Sequence, residues 1–206
     1  MSTLQSFIKG LGGYAQDLYG VARCRFTNPH SYTKFLTINR LRKETGARIF
    51  IEAGTFHGVT AERCASVFER VFTIELDEKL YERAAKRLAR KRNIEAIRGD
   101  ALIALPKVLE DESVSDALIF LDGHFSGGET AHGDLAEPAV EELEVLSKYR
   151  NKIKAIVVDD FRCFGTEPGY PSKSDLFKGA EEYFAQHGFN VTVYLDQLIV
   201  TRKQFA

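Results

Sequence analysis

Five apolar runs in this chain end in, or run directly into, carboxylates: Glu52, Glu75, Asp100, Asp122 and the pair Asp159-Asp160. A single acid after a strand is commonly the cap of the next helix. Five in succession on parallel strands would converge on one rim. Their mutual repulsion there is costly unless a cation, an ammonium group or hydroxyl donors are bound among them. Such a rim suits a ligand that carries ribose hydroxyls and positive charge. The first acid opens Glu52-Ala-Gly-Thr-Phe-His-Gly-Val-Thr60. Gly54 and Gly58 in that segment let the backbone turn sharply and let a ligand lie close against it. An acid at Glu75 is placed to accept both hydroxyls of a ribose, and Asp100 to accept a hydrogen bond from an adenine amino group.

The elements that would position these residues follow from apolar periodicity. Strands are expected at 48–52, 71–75, 94–98, 117–121 and 155–158, with helices at 60–69, 78–92, 101–110 and 136–149 between them. Strand and helix in alternation imply a parallel sheet covered on both faces. The runs Leu118 to Leu121 and Ala155 to Val158 are apolar throughout, as buried strands require. A helix over 174–186 is stopped by Gly188. Strands at 189–195 and 198–202 follow, separated only by Asp196-Gln197, so they must pair antiparallel. The expected fold is α/β, a Rossmann-like, seven-stranded, mostly parallel sheet with helices on both faces and a C-terminal antiparallel hairpin.

The first 46 residues stand apart from this pattern. Leu4, Phe7, Ile8, Leu11 and Tyr14 share a helical face, weakened by Gly10, Gly12 and Gly13. Phe35, Leu36 and Ile38 mark a second helix that ends near Gly46. The expected organisation is an N-terminal helical extension over 1–46 that packs on the sheet or covers the site, followed by a cofactor-binding domain over 47–206. A homodimer contact or a membrane-surface contact is the alternative use for the extension.

Over roughly Ile49 to Arg202 the chain resembles the class I S-adenosylmethionine-dependent methyltransferases. The segment from Glu52 to Thr60 looks like the first motif of the catechol O-methyltransferase type, and the terminal hairpin is similar to that fold's reversed last strand. The resemblance implies S-adenosylmethionine as cofactor. Gly54, Thr55 and Gly58 would flank its methionine part, Glu52 would lie near its ammonium, Glu75 would hold the ribose and Asp100 the adenine, with Asp122 bordering the same site. It also implies a divalent metal such as Mg2+. Catechol-type and macrocin-type enzymes place acids after the fourth and fifth strands, and Asp122, Asp159 and Asp160 match them. Such oxygen ligands suit a hard cation that binds the acceptor oxygen and lowers its pKa. The alternative is that these acids only shape loops and turns. Catechol enzymes carry a lysine base shortly after the first of these acids. This chain has His124-Phe125-Ser126 there, so His124 is either the general base or a loop histidine that shapes the site. The loop from His124 to Asp134 reads as a substrate or metal loop. Arg162 either holds an anionic acceptor or forms an ordinary ion pair. His57 is expected to pack in the glycine turn, and His30 and His187 to lie on the surface.

Composition removes other classes. The chain has 206 residues and a formal net charge of -1, which gives no basic surplus for nucleic acid. No apolar stretch is long enough for a membrane span. Cys24, Cys64 and Cys163 form no CxxC pair, so neither a disulfide framework nor a zinc knuckle is indicated, and a cytoplasmic setting is expected. An NAD-dependent oxidoreductase normally carries GxGxxG. The Gly54-x-x-x-Gly58 spacing and the acid before it disfavour a pyrophosphate. A non-catalytic cofactor-binding module is a further alternative. The expected protein is an O-methyltransferase for a small molecule or glycan unit, with Asp122 and His124 as its catalytic candidates.

Overall fold

The computed structural model describes residues 3–23, 28–122 and 137–203, so His124 and the loop from it to Asp134 lie outside the described residues. Two helices come first, α1 (Thr3–Ala22) and α2 (Ser31–Thr45). Then strand and helix alternate through β1 (Ile49–Ala53), α3 (Val59–Cys64), β2 (Arg70–Glu75), α4 (Glu78–Leu88), β3 (Ile94–Arg98), α5 (Ala101–Glu110) and β4 (Ala117–Leu121). The chain continues with α6 (Ala139–Ser147), β5 (Ile153–Val158), α7 (Lys173–Tyr183), β6 (Phe189–Tyr194) and β7 (Gln197–Arg202).

These strands form one seven-stranded sheet in the order β3-β2-β1-β4-β5-β7-β6. β1 to β5 pair in parallel, and β7 runs antiparallel to both β5 and β6. The chain leaves β1 in one direction toward β3 and returns to start again at β4. The crevice beyond the carboxyl ends of β1 and β4 is therefore the topological switch point.

The central strands are apolar throughout because both faces are covered. Every residue of β1 and of β4 is buried. On one face, Ile51, Ile119 and Ile156 pack with Leu105, Leu143 and Leu176 from α5, α6 and α7. On the other, Phe50, Leu118 and Val157 pack with Ile38 and Leu41 of α2, Cys64 of α3 and Leu88 of α4. The N-terminal extension thus supplies part of the core on one side of the sheet. α1 runs unbroken through Gly10, Gly12, Gly13 and Gly20, and Gly10 lies against the ring of Tyr32.

Several boundaries differ from expectation, among them α6, which spans Ala139–Ser147 against 136–149, and α7, which ends at Tyr183 against 186. The helix after the glycine turn stops at Cys64 rather than 69, where hydrogen-bonded turns take over. The next helix ends at Leu88 rather than 92, so the basic run lies only partly on it. The hairpin turn is Leu195-Asp196, one residue earlier than expected, because Tyr194 pairs with Gln197. Leu195 takes the left-handed conformation there, with φ 53°.

Candidate active site

Every acid picked out from the sequence that lies among the described residues sits on the carboxyl-end rim. Backbone bonds continue the ladders one residue past the strands and so fix their heights. The Asp122 N–H donates to the Ala53 carbonyl at 2.9 Å, Asp159 N–H to Leu121 at 2.9 Å, and Gly99 N–H to Glu75 at 2.9 Å. The residues divide into a first group on β1, β2 and β3 and a second group on β4 and β5.

In the first group, Glu52 is 2 % exposed. The Thr73 hydroxyl donates to its Oε2 at 2.6 Å, and the Thr55 and Thr73 hydroxyls are 2.6 Å apart. Burial pushes the Glu52 carboxyl up to about 8; Thr73 opposes the rise, and the charges of Asp122 and Glu75 add to it. Glu75 is fixed by two backbone donors, Phe56 N–H at 2.8 Å to Oε2 and Asp77 N–H at 3.0 Å to Oε1. That ties the ribose candidate to the glycine turn. Phe56 itself is left-handed, with φ 47°, and half exposed. Strain of this kind collects at ligand-binding turns.

The two glycines do different work. Gly54 has φ 91° and carries the turn out of β1. Gly58, with φ 70°, precedes the first residue of α3, and a Cβ there would stand 3.2 Å from Leu88. It serves close packing of α3 on α4. Asp100 caps α5, accepting from Leu102 N–H at 2.8 Å. A cap leaves lone pairs for a ligand, so the adenine assignment and the cap are compatible. His57 packs against Phe56, as expected, with ring centroids 3.9 Å apart. His30 is half-buried rather than on the surface: it caps α2 by accepting from Tyr32 N–H at 3.1 Å.

In the second group, Asp122, Asp159 and Asp160 do come together, and a residue from α2 enters among them. The Lys34 ammonium forms a close ion pair with Asp159 Oδ2 and lies 3.5 Å from Asp160 Oδ1 and 3.8 Å from Asp122 Oδ2. Burial alone would lower the Lys34 pKa, but the three carboxylates outweigh it and hold the group above the ordinary lysine value, so it is an ammonium. Gln197 Nε2 donates to Asp159 Oδ1 at 3.0 Å. Arg162 donates to Asp160 Oδ1 at 2.8 Å and pairs closely with Asp196, so it forms ion pairs within the protein. Asp160 is left-handed, with φ 51°. Its carboxylate thus reaches both cations while Asp159 stays in line with β5.

These acids do not fit a divalent metal as they stand. An ammonium already occupies their midst, and no group of three or more His, Cys, Asp or Glu among the described residues is arranged to hold an ion. Lys34, Thr73 and Gln197 were not singled out from the sequence. The only signal for Lys34 is its spacing from Ile38 and Leu41, which places a lysine in line with the buried stripe of α2.

Comparison with solved structures agrees with this arrangement of strands. An O-methyltransferase from Bacillus cereus, solved with S-adenosylhomocysteine, matches 93% of this chain and 91% of its own with a TM-score of 0.63 at 18% identity. The fold is that of the class I S-adenosylmethionine-dependent methyltransferases. A Staphylococcus aureus protein assigned as a caffeoyl-CoA O-methyltransferase matches 98% of this chain and 100% of its own, with TM-score 0.61 and 17% identity. The O-methyltransferase TomG from Streptomyces achromogenes, solved with S-adenosylmethionine, matches 84% of this chain and 82% of its own, with TM-score 0.59 and 20% identity. No family profile matches the chain, and no curated protein sequence matches it. The methyltransferase fold places its switch-point crevice where Glu52, Glu75 and Asp122 converge. No helix among the described residues is long and apolar enough to cross a membrane.

Proposed function

We propose that the chain is an S-adenosylmethionine-dependent methyltransferase that transfers the methyl group to an oxygen of a small molecule or glycan unit. The observation that carries this reading is the buried chain of Glu52, Thr73 and Thr55 behind the Gly54 turn, with Glu75 held beside it by Phe56 N–H. A carboxyl in that position ionises beside an ammonium group and pairs with it, whereas a pyrophosphate would only hold it protonated, so the methionine cofactor is favoured over a dinucleotide.

In this reading Glu52 faces the donor's ammonium, Glu75 accepts from the ribose hydroxyls and Asp100 from the adenine amino group. Gly54, Thr55 and Gly58 shape the wall, and Asp122 borders both donor and acceptor. The acceptor oxygen attacks the sulfonium methyl in line. The new carbon–oxygen bond forms as the carbon–sulfur bond breaks, and sulfur keeps the electron pair. The hydroxyl proton passes to a base, for which Asp122 and His124 are the candidates. The protein's task is to hold the acceptor oxygen, the methyl carbon and the sulfonium sulfur in line. No divalent metal enters this reading, because Lys34 stands among the acids that would ligate it. A reducing cytoplasmic setting is part of it, supported by Cys64 and Cys163 both being free thiols.

Calorimetry with S-adenosylhomocysteine tests the reading. Saturable binding at one site is expected, with a loss of at least about tenfold in affinity for Glu75→Ala, the size of one or two lost charge-assisted hydrogen bonds. No binding to the wild-type protein, or full affinity in Glu75→Ala, refutes it.

A further inference from the structure

The acids at the ends of β4 and β5 are held by a lysine from outside the strand-and-helix repeat. Lys34 lies in the first turn of α2, and its side chain is 11% exposed. Three independent anchors fix that turn. His30 caps it, Asp17 of α1 accepts from His30 N–H at 2.8 Å and from the Thr33 hydroxyl, and Ile38 and Leu41 are buried against the sheet. The ammonium therefore arrives among the carboxylates on a rigid support rather than on a loose surface chain. Asp159 is fully buried and Asp160 nearly so, whereas Asp122, at 24%, opens toward solvent. Burying carboxylates this deeply is costly, and the Lys34 charge offsets part of that cost.

We propose that Lys34 is the resident cation of the acceptor side, a positioning residue that takes the place of a divalent metal. This rests on the methyltransferase reading for its purpose, though not for its geometry. An ammonium has three donors in tetrahedral array and no acceptor. One is committed closely to Asp159. Asp160 and Asp122 lie at 3.5 and 3.8 Å, beyond a direct hydrogen bond, so the ammonium keeps donor capacity for an oxygen entering beside Asp122. The ligand class this fits is an acceptor with an oxygen, hydroxyl or carboxylate, at its reacting end. Lys34 orients that oxygen and supports negative charge developing on it. As an ammonium it does not remove the proton. Magnesium would need near-octahedral oxygen ligands at about 2.0–2.1 Å, and these acids could offer them only after α2 withdrew its lysine. Methyl transfer by this protein is therefore independent of divalent metal.

Manganese, with paramagnetic resonance as the readout, probes the site without knowledge of the acceptor. The wild-type protein is expected to leave added Mn2+ free, and its affinity for S-adenosylhomocysteine is expected to change by less than about twofold between Mg2+ and EDTA. Lys34→Met keeps the stem's packing and drops the charge. It is expected to bind Mn2+ at least about tenfold more tightly than wild type, and the added change Asp159→Asn is expected to abolish that gain. Wild-type protein that binds Mn2+ and loses it in Asp159→Asn overturns the proposal. So does a folded Lys34→Met protein that takes up no Mn2+. Should Lys34→Met not fold, the wild-type titration and Lys34→Arg decide: Lys34→Arg is expected to remain free of Mn2+, and uptake by either protein overturns the proposal. Failure of S-adenosylhomocysteine to bind at all refutes the donor reading instead, and leaves the manganese outcomes to speak for Lys34.

Discussion

Glu52 is the last residue but one of β1, with its carboxyl removed from water and, among the described residues, the Thr73 hydroxyl as its donor. With its pKa raised to about 8, the group is mostly protonated at pH 7 in the free protein. An ammonium beside it favours the ionised form, so donor binding at pH 7 is expected to release about one proton per ligand. Calorimetry in phosphate and in Tris, whose ionisation enthalpies differ widely, reads this directly. The binding enthalpy should differ between the two buffers for the wild type and agree between them for Glu52→Gln. Equal enthalpies in the wild type would show that Glu52 does not meet the ammonium. The identity of Glu52 as a site residue is visible in the sequence, because an acid interrupts an apolar run just before a glycine turn. Its protonation is not, because that depends on Thr73 and on burial by elements far along the chain.

At the scale of elements, the glycine turn and the caps carry distinct loads. Gly58 combines a left-handed backbone with a 3.2 Å approach of its missing Cβ to Leu88. Gly58→Ala is therefore expected to destabilise the protein by about 1–3 kcal/mol in urea unfolding, through strain and displacement of α4. Asp100 is both cap and adenine candidate, and two substitutions separate these roles. Asp100→Asn preserves capping, so stability should hold while donor affinity falls. Asp100→Ala should lose about 1 kcal/mol of stability as well. Equal donor affinity in Asp100→Asn and wild type would leave Asp100 with the cap alone. The helices themselves were readable from periodicity, and α5, β3 and β4 fall at the expected residues. The ends of α3 and α4 were not, since turn hydrogen bonds compete with continued helix over a few residues at either end.

For the whole molecule, buried carboxyls set the response to pH. Glu142 on α6 is 1% exposed, and its Oε1 has no hydrogen-bond partner among the described residues. Burial, then Glu137, Asp100 and Glu141, push its carboxyl up to about 8. A carboxyl whose folded pKa is raised holds its proton in the folded state after the unfolded chain has lost it. Its contribution is fully present below the unfolded pKa near 4.5 and declines as pH rises toward 8. Glu52, also raised to about 8, acts in the same direction. Unfolding free energy is thus expected to fall between pH 6 and pH 9 by an amount on the order of 2 kcal/mol for Glu142 alone. Glu142→Gln should remove that part of the slope in urea melts across this range. A wild-type stability that rises over the same range would contradict the buried, protonated state.

The chain's own order of residues determined the alternation of strand and helix, the reversed final strand and the rim of acids. Those features rest on local periodicity and on which residues end each apolar run, and neighbours in sequence decide both. The strand ends could be aligned from the sequence because parallel sheets bring carboxyl ends to one side. Only the tertiary structure decided what neutralises the acids on β4 and β5. Lys34 lies 88 to 126 residues away from Asp122, Asp159 and Asp160, and nothing in its helix signals those partners. It reaches them because Ile38 and Leu41 bury α2 against the sheet, and that docking sets which side chain of the helix faces the crevice.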